Sequence, residues 1–158
     1  MKILERFEVR CSPEEVWALI RDPREIAACV PSVQSIEVLD ERHYKAIIKQ
    51  RIGFISATFE IRTEIVEENA PNRLVLANSG RTVAGAAGHM RSVDTITLTA
   101  MGDGRTEVSL ESELRLGGQL AVLGARLIEL KSKEVVAATA ANLKQRLERT
   151  APYGTEKL

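Results

Sequence analysis

The sequence predicts an α+β fold in which a curved antiparallel sheet of about seven strands wraps around one long C-terminal helix, with two short helices between the first two strands. Segments of alternating apolar and polar residues, separated by turn residues, follow one another from residue 34 to residue 116. Such alternation is typical of an antiparallel meander. Residues 117–150 contain no proline and are rich in Ala, Leu, Glu, Lys and Arg, which favours one long helix.

The residues before this meander predict one strand and two short helices. Phe7-Glu8-Val9 forms an extended segment. Ser12 then begins a helix, because its hydroxyl can cap the first turn, Pro13 suits the first helical position, and Glu15 completes a capping box. Asp22 precedes a proline and can cap a second short helix in the same way.

The meander has one prominent irregularity between two of its strands. The stretch Gly80–His89 is rich in Gly and Ala and contains few residues that could anchor it. It is either a flexible hairpin without a function or a movable flap over a cavity. Its glycine spacing does not form a phosphate loop, since no Lys-Ser or Lys-Thr pair and no helix follow it.

The predicted long helix presents small side chains along part of one face. At about 100° per residue, the face that begins with leucines continues with alanines. A helix that faces a sheet with small residues leaves space, unless a bulky neighbour fills it. Both alternatives stay open at this point. The leucines are Leu120, Leu123, Leu127 and Leu130, and the alanines are Ala137, Ala138 and Ala141.

Polar side chains occur among the inward-facing residues of the predicted strands. A buried polar group costs about 1–3 kcal/mol if it is unpaired, so each requires a partner in the protein, a water or a ligand. Amides and hydroxyls in an apolar lining suit a ligand that is mostly apolar with a few carbonyl or hydroxyl groups. The predicted ligand-binding residues are Ile48, Gln50, Phe59, Ile61, Leu76, Asn78, Met90, Ser92, Asp94, Leu110, Ser112, Leu123, Leu127, Leu130, Ala138 and Ala141.

No catalytic motif, cofactor site or metal site is predicted. His43 and His89 are far apart in the chain and are interpreted as surface residues. Cys11 and Cys29 have no metal-binding or redox spacing and are interpreted as buried free thiols. Asp94 is the inward-facing acid, and a single general base in an apolar pocket would make the protein a small cyclase-like or hydrolase-like enzyme instead of a binding protein.

Composition and length exclude several classes of protein. The 22 basic and 22 acidic residues cancel, which argues against nucleic acid as a partner. No apolar run approaches the ~20 residues of a membrane span, and the charged N-terminus does not resemble a signal peptide. We therefore expect a cytoplasmic protein with a single domain at residues 1–150 and a short tail at residues 151–158.

The order of these elements, together with several short motifs, resembles a known family. The order resembles the helix-grip fold of the START and birch-pollen-allergen-like superfamily (SRPBCC), and within it the family of the G subunit of carbon monoxide dehydrogenase. The departure from the family pattern is Ser32, where the family usually has Gly after a proline. The motifs are Phe7-Glu8-Val9, Ser12–Trp17, Ala28-Cys29-Val30-Pro31, Ile52–Phe59, Gly104-Arg105-Thr106 and Gly118–Ile128.

The resemblance implies a protein that binds a hydrophobic small molecule, lipid or quinone-like, between the sheet and the C-terminal helix. It also implies an accessory, carrier or membrane-recruitment role for a molybdenum hydroxylase of the carbon monoxide dehydrogenase type, with transient contact at the inner face of the membrane. A third alternative is an assembly factor for such an enzyme that binds no ligand.

Overall fold

The computed structural model describes residues 1–150, apart from the side chain of Thr150, and it confirms the predicted fold class. The predicted tail at residues 151–158 lies outside the described residues, and the domain boundary stays a prediction. The strands are β1 (Lys2–Val9), β2 (Val33–Val38), β3 (His43–Ile52), β4 (Ile55–Asn69), β5 (Arg73–Gly85), β6 (Gly88–Gly102) and β7 (Arg105–Gly118). The helices are α1 (Pro13–Ile20), α2 (Pro23–Ala27) and α3 (Ala125–Thr150), and a 3₁₀ segment, Gln119–Leu123, precedes α3.

The seven strands form one antiparallel sheet in the order β1-β7-β6-β5-β4-β3-β2. All neighbours except β1 and β7 are consecutive in the chain, as a meander requires. Register shifts interrupt the strand pairing at four places, one between β2 and β3, two between β4 and β5, and one between β6 and β7. Bulges of this kind bend a strand and increase its twist. The long strands therefore curve around α3.

The two short helices begin as the sequence predicts. The Ser12 hydroxyl accepts a hydrogen bond from the Glu15 amide at 3.2 Å, and the Glu15 carboxylate accepts one from the Ser12 amide at 2.8 Å. The Asp22 carboxylate caps α2 by accepting from the Arg24 amide at 3.0 Å. The following turn keeps a left-handed residue, since Ser32 has a φ of 68°, which explains why glycine suits this position.

The prediction of one long helix within residues 117–150 is wrong at its beginning. Gly124 has a φ of 96° and separates the 3₁₀ segment from α3. Leu120 is fully buried before this break, whereas Leu130 is 53% exposed after it. The change of direction at Gly124 places the leucines before and after it on different surfaces. The face of α3 toward the sheet instead carries Ile128, Ser132, Val135, Thr139 and Leu143.

The glycine-rich stretch at residues 80–89 is not a separate loop. β5 continues to Gly85, β6 begins at Gly88, and Gly80 pairs with Met90 across the hairpin. A Cβ atom at Gly80 would lie only 3.0–3.1 Å from the side chains of Ile61 and Met90. Glycine therefore lets the strands continue past these two side chains.

Gly85→Ala is expected to destabilise the protein more than Gly102→Ala, although both glycines have nearly the same positive φ angle. Their φ angles are 85° and 83°. A Cβ at Gly85 would lie 2.2 Å from the Ser56 carbonyl oxygen, whereas nothing lies within 4 Å of one at Gly102. We expect a difference of about 1 kcal/mol or more in the free energy of unfolding, measured by urea denaturation. Equal losses would show that only the φ angle matters.

Buried apolar side chains form two clusters at opposite ends of the sheet. The first packs α1 and the C-terminal half of α3 against the sheet, and it includes Val16, Leu74 and Leu147. The second is smaller, with Phe59 and Leu120 at its centre. Both cysteines lie in the first cluster and are free, as predicted. Burial raises the pKa of the Cys11 thiol to about 11, so the thiol stays protonated and unreactive at neutral pH.

Candidate functional site

A cavity of about 340 Å³ lies between the concave face of the sheet and α3. Members of both apolar clusters line it, so it occupies the region between them. Most of its lining is aliphatic or aromatic. The volume falls within the range of small-molecule binding sites.

A row of polar side chains crosses the floor of this apolar cavity. Strand register places Tyr44 opposite Thr63, Thr63 opposite Asn78, and Asn78 opposite Ser92. The Thr63 hydroxyl donates a hydrogen bond to the side-chain oxygen Oδ1 of Asn78 at 2.6 Å. The side-chain nitrogen Nδ2 of Asn78 donates one to the Ser92 hydroxyl at 3.0 Å. We call Tyr44, Thr63, Asn78, Ser92, Asp94 and Ser112 the polar row.

Asp94 is the acceptor on which the hydrogen bonds of the polar row converge. The Asn78 amide donates to one of its carboxylate oxygens at 2.8 Å, and the Ser112 hydroxyl donates to the other at 2.7 Å. Burial disfavours the charged carboxylate and raises the pKa of Asp94, against the opposing effect of hydrogen bonds from Ser112, Asn78 and Ser92. The site thus holds a carboxyl that protonates more readily than a surface one.

Tyr44 brings a hydroxyl to the cavity without a partner among residues 1–150. Its side chain is 9% exposed and lines the cavity, and none of the hydrogen bonds of the described residues includes its hydroxyl. Burial, together with the nearby charge of Asp94, raises the pKa of Tyr44 to about 12. The hydroxyl therefore stays protonated at neutral pH, and it can donate to a ligand.

The structure places the predicted strand residues in the cavity wall. Whether they bind a ligand stays a prediction. Successive side chains of a strand point to opposite faces of the sheet, and in every strand the predicted residues share the parity of the concave face. They are Ile48, Gln50, Phe59, Ile61, Leu76, Asn78, Met90, Ser92, Asp94, Leu110 and Ser112.

The structure places the predicted helix residues outside the cavity lining, which corrects their predicted position, and whether they bind a ligand stays a prediction. Leu123 packs against the second cluster, and Leu127 lies against Gly53 in the turn between β3 and β4. Leu130 and Ala141 are exposed, and Ala138 is half-buried outside the cavity lining. The physical reason is the break at Gly124. The predicted face began with Leu120 and Leu123 before this break, and its continuation into α3 does not coincide with the face of α3 that lines the cavity.

Sequence reasoning missed the helical wall and one end of the cavity. Ser132, Val135 and Thr139 line it from α3. The signal in the sequence was the helical spacing of Ile128, Val135, Leu143 and Leu147, which places these apolar residues on one face of the helix. Tyr44 lies on the same face of β3 as Ile48 and Gln50, so the alternation also placed it inside, but it was not among the predicted ligand-binding residues. Further lining residues come from α2, β2 and the turn between them, namely Ile26, Ala27, Val30, Val33 and Ile36.

The residue types that commonly hold metals are dispersed. Among residues 1–150, no three His, Cys, Asp or Glu side chains gather in a way that could hold a metal ion. His43 pairs with Asp40 at 2.9 Å on the surface, and His89 is exposed. Both histidines therefore lie outside the cavity wall.

The sequence matches the family model of the carbon monoxide dehydrogenase G subunit (CoxG) over residues 6–148. The chain belongs to this family. The match covers every element described above except the beginning of β1 and the end of α3. None of the curated proteins matches the sequence. Within residues 1–150 of this CoxG family member, no helix is both long and apolar enough to cross a bilayer.

Solved structures share the fold of this CoxG family member at low sequence identity. A conserved protein from Geobacillus kaustophilus is 21% identical with a TM-score of 0.85, over 95% of this chain and 97% of the other. A START superfamily protein from Mycobacterium smegmatis is 11% identical with a TM-score of 0.72, over 95% and 99%. The Zhui aromatase/cyclase from Streptomyces sp. R1128 is 15% identical with a TM-score of 0.67, over 94% of both chains. The START-like helix-grip fold is thereby established.

Proposed function

We propose that the protein binds a hydrophobic small molecule, a lipid or a quinone-like compound, in the cavity between the sheet and α3. The observation that carries this proposal is an apolar cavity whose floor holds one polar row. Apolar walls suit a hydrocarbon or ring system, while the Tyr44 hydroxyl and the Asp94 carboxyl can hydrogen-bond a carbonyl or hydroxyl group. A buried hydroxyl without a partner costs free energy that a ligand acceptor would recover.

We propose further that the protein carries this ligand to or from a molybdenum hydroxylase of the carbon monoxide dehydrogenase type. The family description supports this partner. A lipophilic quinone would suit such an enzyme, because the oxidation of its substrate releases electrons that an acceptor must collect. In this role the protein is a carrier or a recruitment factor and performs no catalysis itself.

Protein purified from its own host is expected to carry a co-purified lipophilic compound. Native mass spectrometry of the intact protein measures the added mass, and organic extraction identifies the compound class. Delipidated protein is then titrated with a long-chain quinone, and a fluorescence or calorimetric titration measures the affinity. Absence of both a co-purified compound and quinone binding would refute the binding role. An empty cavity combined with a stable hydroxylase complex would favour the ligand-free assembly factor.

The carboxyl group of Asp94 supports a second candidate, a small cyclase-like or hydrolase-like enzyme. Its raised pKa and its position in the cavity suit a general acid or base. Conversion of the extracted compound by the wild-type protein, with at least about a 10²-fold loss in Asp94→Asn, would establish this alternative. A carrier returns the same compound unchanged from both proteins.

A further inference from the structure

The outer face of the sheet, which points away from α3, carries a row of mainly basic side chains across five neighbouring strands. The strand register places Lys45 opposite Arg62, Arg62 opposite Ser79, Ser79 opposite Arg91, and Arg91 opposite Arg115. Each of these residues is adjacent in its strand to a residue that lines the cavity. Because successive side chains of a strand alternate between the two faces, the row lies on the outer one. We call these five residues the outer row.

The positive charges of the outer row are only partly compensated. Lys45 pairs with Glu37 at 3.4 Å and with Glu60 at 3.6 Å. Among residues 1–150, by contrast, the three arginines of the outer row form no ion pair and no side-chain hydrogen bond. Arg91 and Arg115 lie directly opposite each other, and like charges at such positions are destabilising. The outer row therefore holds positive charge that the described part of the chain leaves without a partner.

A depression of about 220 Å³ lies in the outer face at the centre of this row. Glu60 is its acidic lining residue, and this carboxylate already pairs with Arg81 at 3.1 Å and with Lys45. The depression is therefore predominantly basic. Its other charged or polar lining residues are Arg62, Ser79, Arg81, His89 and Arg91.

The imidazole ring of His89 is held at the edge of the depression by the residue opposite it. The register pairs His89 with Gly117 on β7. A Cβ atom at Gly117 would collide with the ring of His89, so the ring lies over the backbone in space that a larger residue would occupy. A side chain packed in this way has less rotational freedom to lose when a ligand binds. The wall of the depression is thus partly pre-organised.

We propose that this depression binds a phosphate-bearing small molecule, with Arg62 and Arg91 donating hydrogen bonds to its oxygens from either side of Ser79. The planar guanidinium group has the fork geometry that matches phosphate oxygens. A phosphate group carries a charge of about −1.5 to −2 at neutral pH, so it balances two arginines, whereas one carboxylate would leave half of their charge.

The spacing of the two arginines favours a diphosphate over a single phosphate. Arg62 and Arg91 are separated by one strand, which places their backbones about 10 Å apart. Each guanidinium can then bind one phosphate group of a diphosphate that lies above Ser79. The ligand class is therefore an organic diphosphate or inorganic pyrophosphate.

The depression lies directly behind the polar row of the cavity. Ser79 and Arg91 are adjacent in sequence to Asn78 and Ser92, whose side chains point into the cavity, and Met90 lines both sites. One layer of sheet separates the two sites. The proposal does not depend on what occupies the cavity, so ligand binding in the cavity provides an independent measurement.

Titration calorimetry of the full chain with inorganic pyrophosphate tests the site. At equal ionic strength, we expect saturable binding of pyrophosphate, weaker binding of inorganic phosphate and no binding of acetate. Arg62→Gln/Arg91→Gln is expected to bind pyrophosphate at least about tenfold more weakly. Arg6→Gln/Arg126→Gln is the matched control, because it removes two exposed arginines that form no ion pair within residues 1–150 and do not line the depression.

A variant that keeps the charge distinguishes a defined site from diffuse attraction. Arg62→Lys/Arg91→Lys retains both positive charges but loses the guanidinium fork. We expect it to bind pyrophosphate at least about threefold more weakly than the wild type. Binding equal to that of the wild type would show that positive charge alone suffices, and it would overturn the proposed geometry.

Melting temperatures separate a binding role from a structural one. Without ligand, Arg62→Gln/Arg91→Gln is expected to melt no lower than Arg6→Gln/Arg126→Gln, because it removes repulsion from the outer row. Pyrophosphate is expected to raise the melting temperature of the wild type but not that of Arg62→Gln/Arg91→Gln. A lower melting temperature of the ligand-free Arg62→Gln/Arg91→Gln variant would assign these arginines a structural role and overturn the proposal.

The remaining outcomes are equally decisive. Wild-type protein that binds pyrophosphate no better than acetate, or a glutamine variant that binds it as well as the control, would also overturn the proposal. Quinone affinity is expected to be the same in all these variants, since none of the substituted residues lines the cavity. A parallel loss of quinone affinity would indicate distortion of the whole sheet and count against a separate site. Absence of quinone binding in the wild type would refute only the function of the cavity.

Discussion

Ser132→Phe is expected to reduce the affinity for a long-chain quinone by at least about tenfold, which is about 1.4 kcal/mol. Ser132 lies on the inner face of α3 and lines the cavity from the helix. A phenyl ring at this position occupies space that a ligand would otherwise fill. Because the ring enters an existing void, the melting temperature is expected to change little. Titration of delipidated protein measures the affinity, and a thermal scan measures the stability.

Ala141→Phe provides the matched control for this substitution. Ala141 lies on the same helix but is exposed and does not line the cavity, so the new ring should leave quinone affinity unchanged. If α3 were closely packed against the sheet, Ser132→Phe would instead lower the free energy of unfolding by about 1–3 kcal/mol. Such a loss, with unchanged affinity per folded molecule, would argue against a ligand at this position.

Asp94→Asn is expected to change the pH dependence of stability. Burial raises the pKa of Asp94 in the folded protein above the ordinary value of 3.8. At a pH between the pKa of Asp94 in the unfolded chain and its higher pKa in the folded protein, the folded state binds more protons than the unfolded state. The free energy of unfolding therefore falls as pH rises through this window. Asparagine does not ionise, so the variant lacks this fall in the free energy of unfolding. The variant should therefore gain stability relative to the wild type as pH rises through this window.

Urea denaturation of both proteins from acidic to neutral pH measures this difference. Other carboxyl groups titrate in the same range, but they titrate in both proteins and cancel in the comparison. Glu113→Gln removes an exposed acid from β7 and serves as the control for the loss of a negative charge. A difference between Asp94→Asn and wild type that stays constant with pH, or shrinks as pH rises, would contradict the burial of a destabilised carboxylate.

The strand half of the cavity was predictable because a β-strand has a fixed period of two. Once Phe59 and Ile61 were assigned to the interior, the alternation placed Thr63 beside them, and the same reasoning placed Asn78 and Asp94. Hydrogen bonds join these residues across neighbouring strands, and the sequence of one strand does not determine which residues it pairs with. The polar side chains were visible in the sequence, whereas their convergence on Asp94 required the register of β4, β5, β6 and β7.

The helical half of the cavity was not predictable in the same way. A helical face can be projected only while the helix is continuous, and Gly124 ends that continuity with a φ of 96°. A glycine inside a helical pattern costs little enough to be tolerated, so the sequence did not distinguish a break from a continuous helix. The predicted wall of Leu127 and Ala138 therefore lay on the wrong side of α3, and Ser132 was overlooked.

The sequence by itself determined the α+β class, the meander, the helix caps at Ser12 and Asp22, and the absence of net charge, because each depends on local periodicity, local hydrogen bonding or composition. Tertiary structure alone decided which side of α3 closes the cavity and which turns meet. The turns at Phe54 and Gly85 are distant in the chain, but the Ala86 amide donates a hydrogen bond to the Ser56 carbonyl oxygen at 3.3 Å. Local periodicity cannot predict such a contact, because it depends on the pairing and the curvature of the whole sheet.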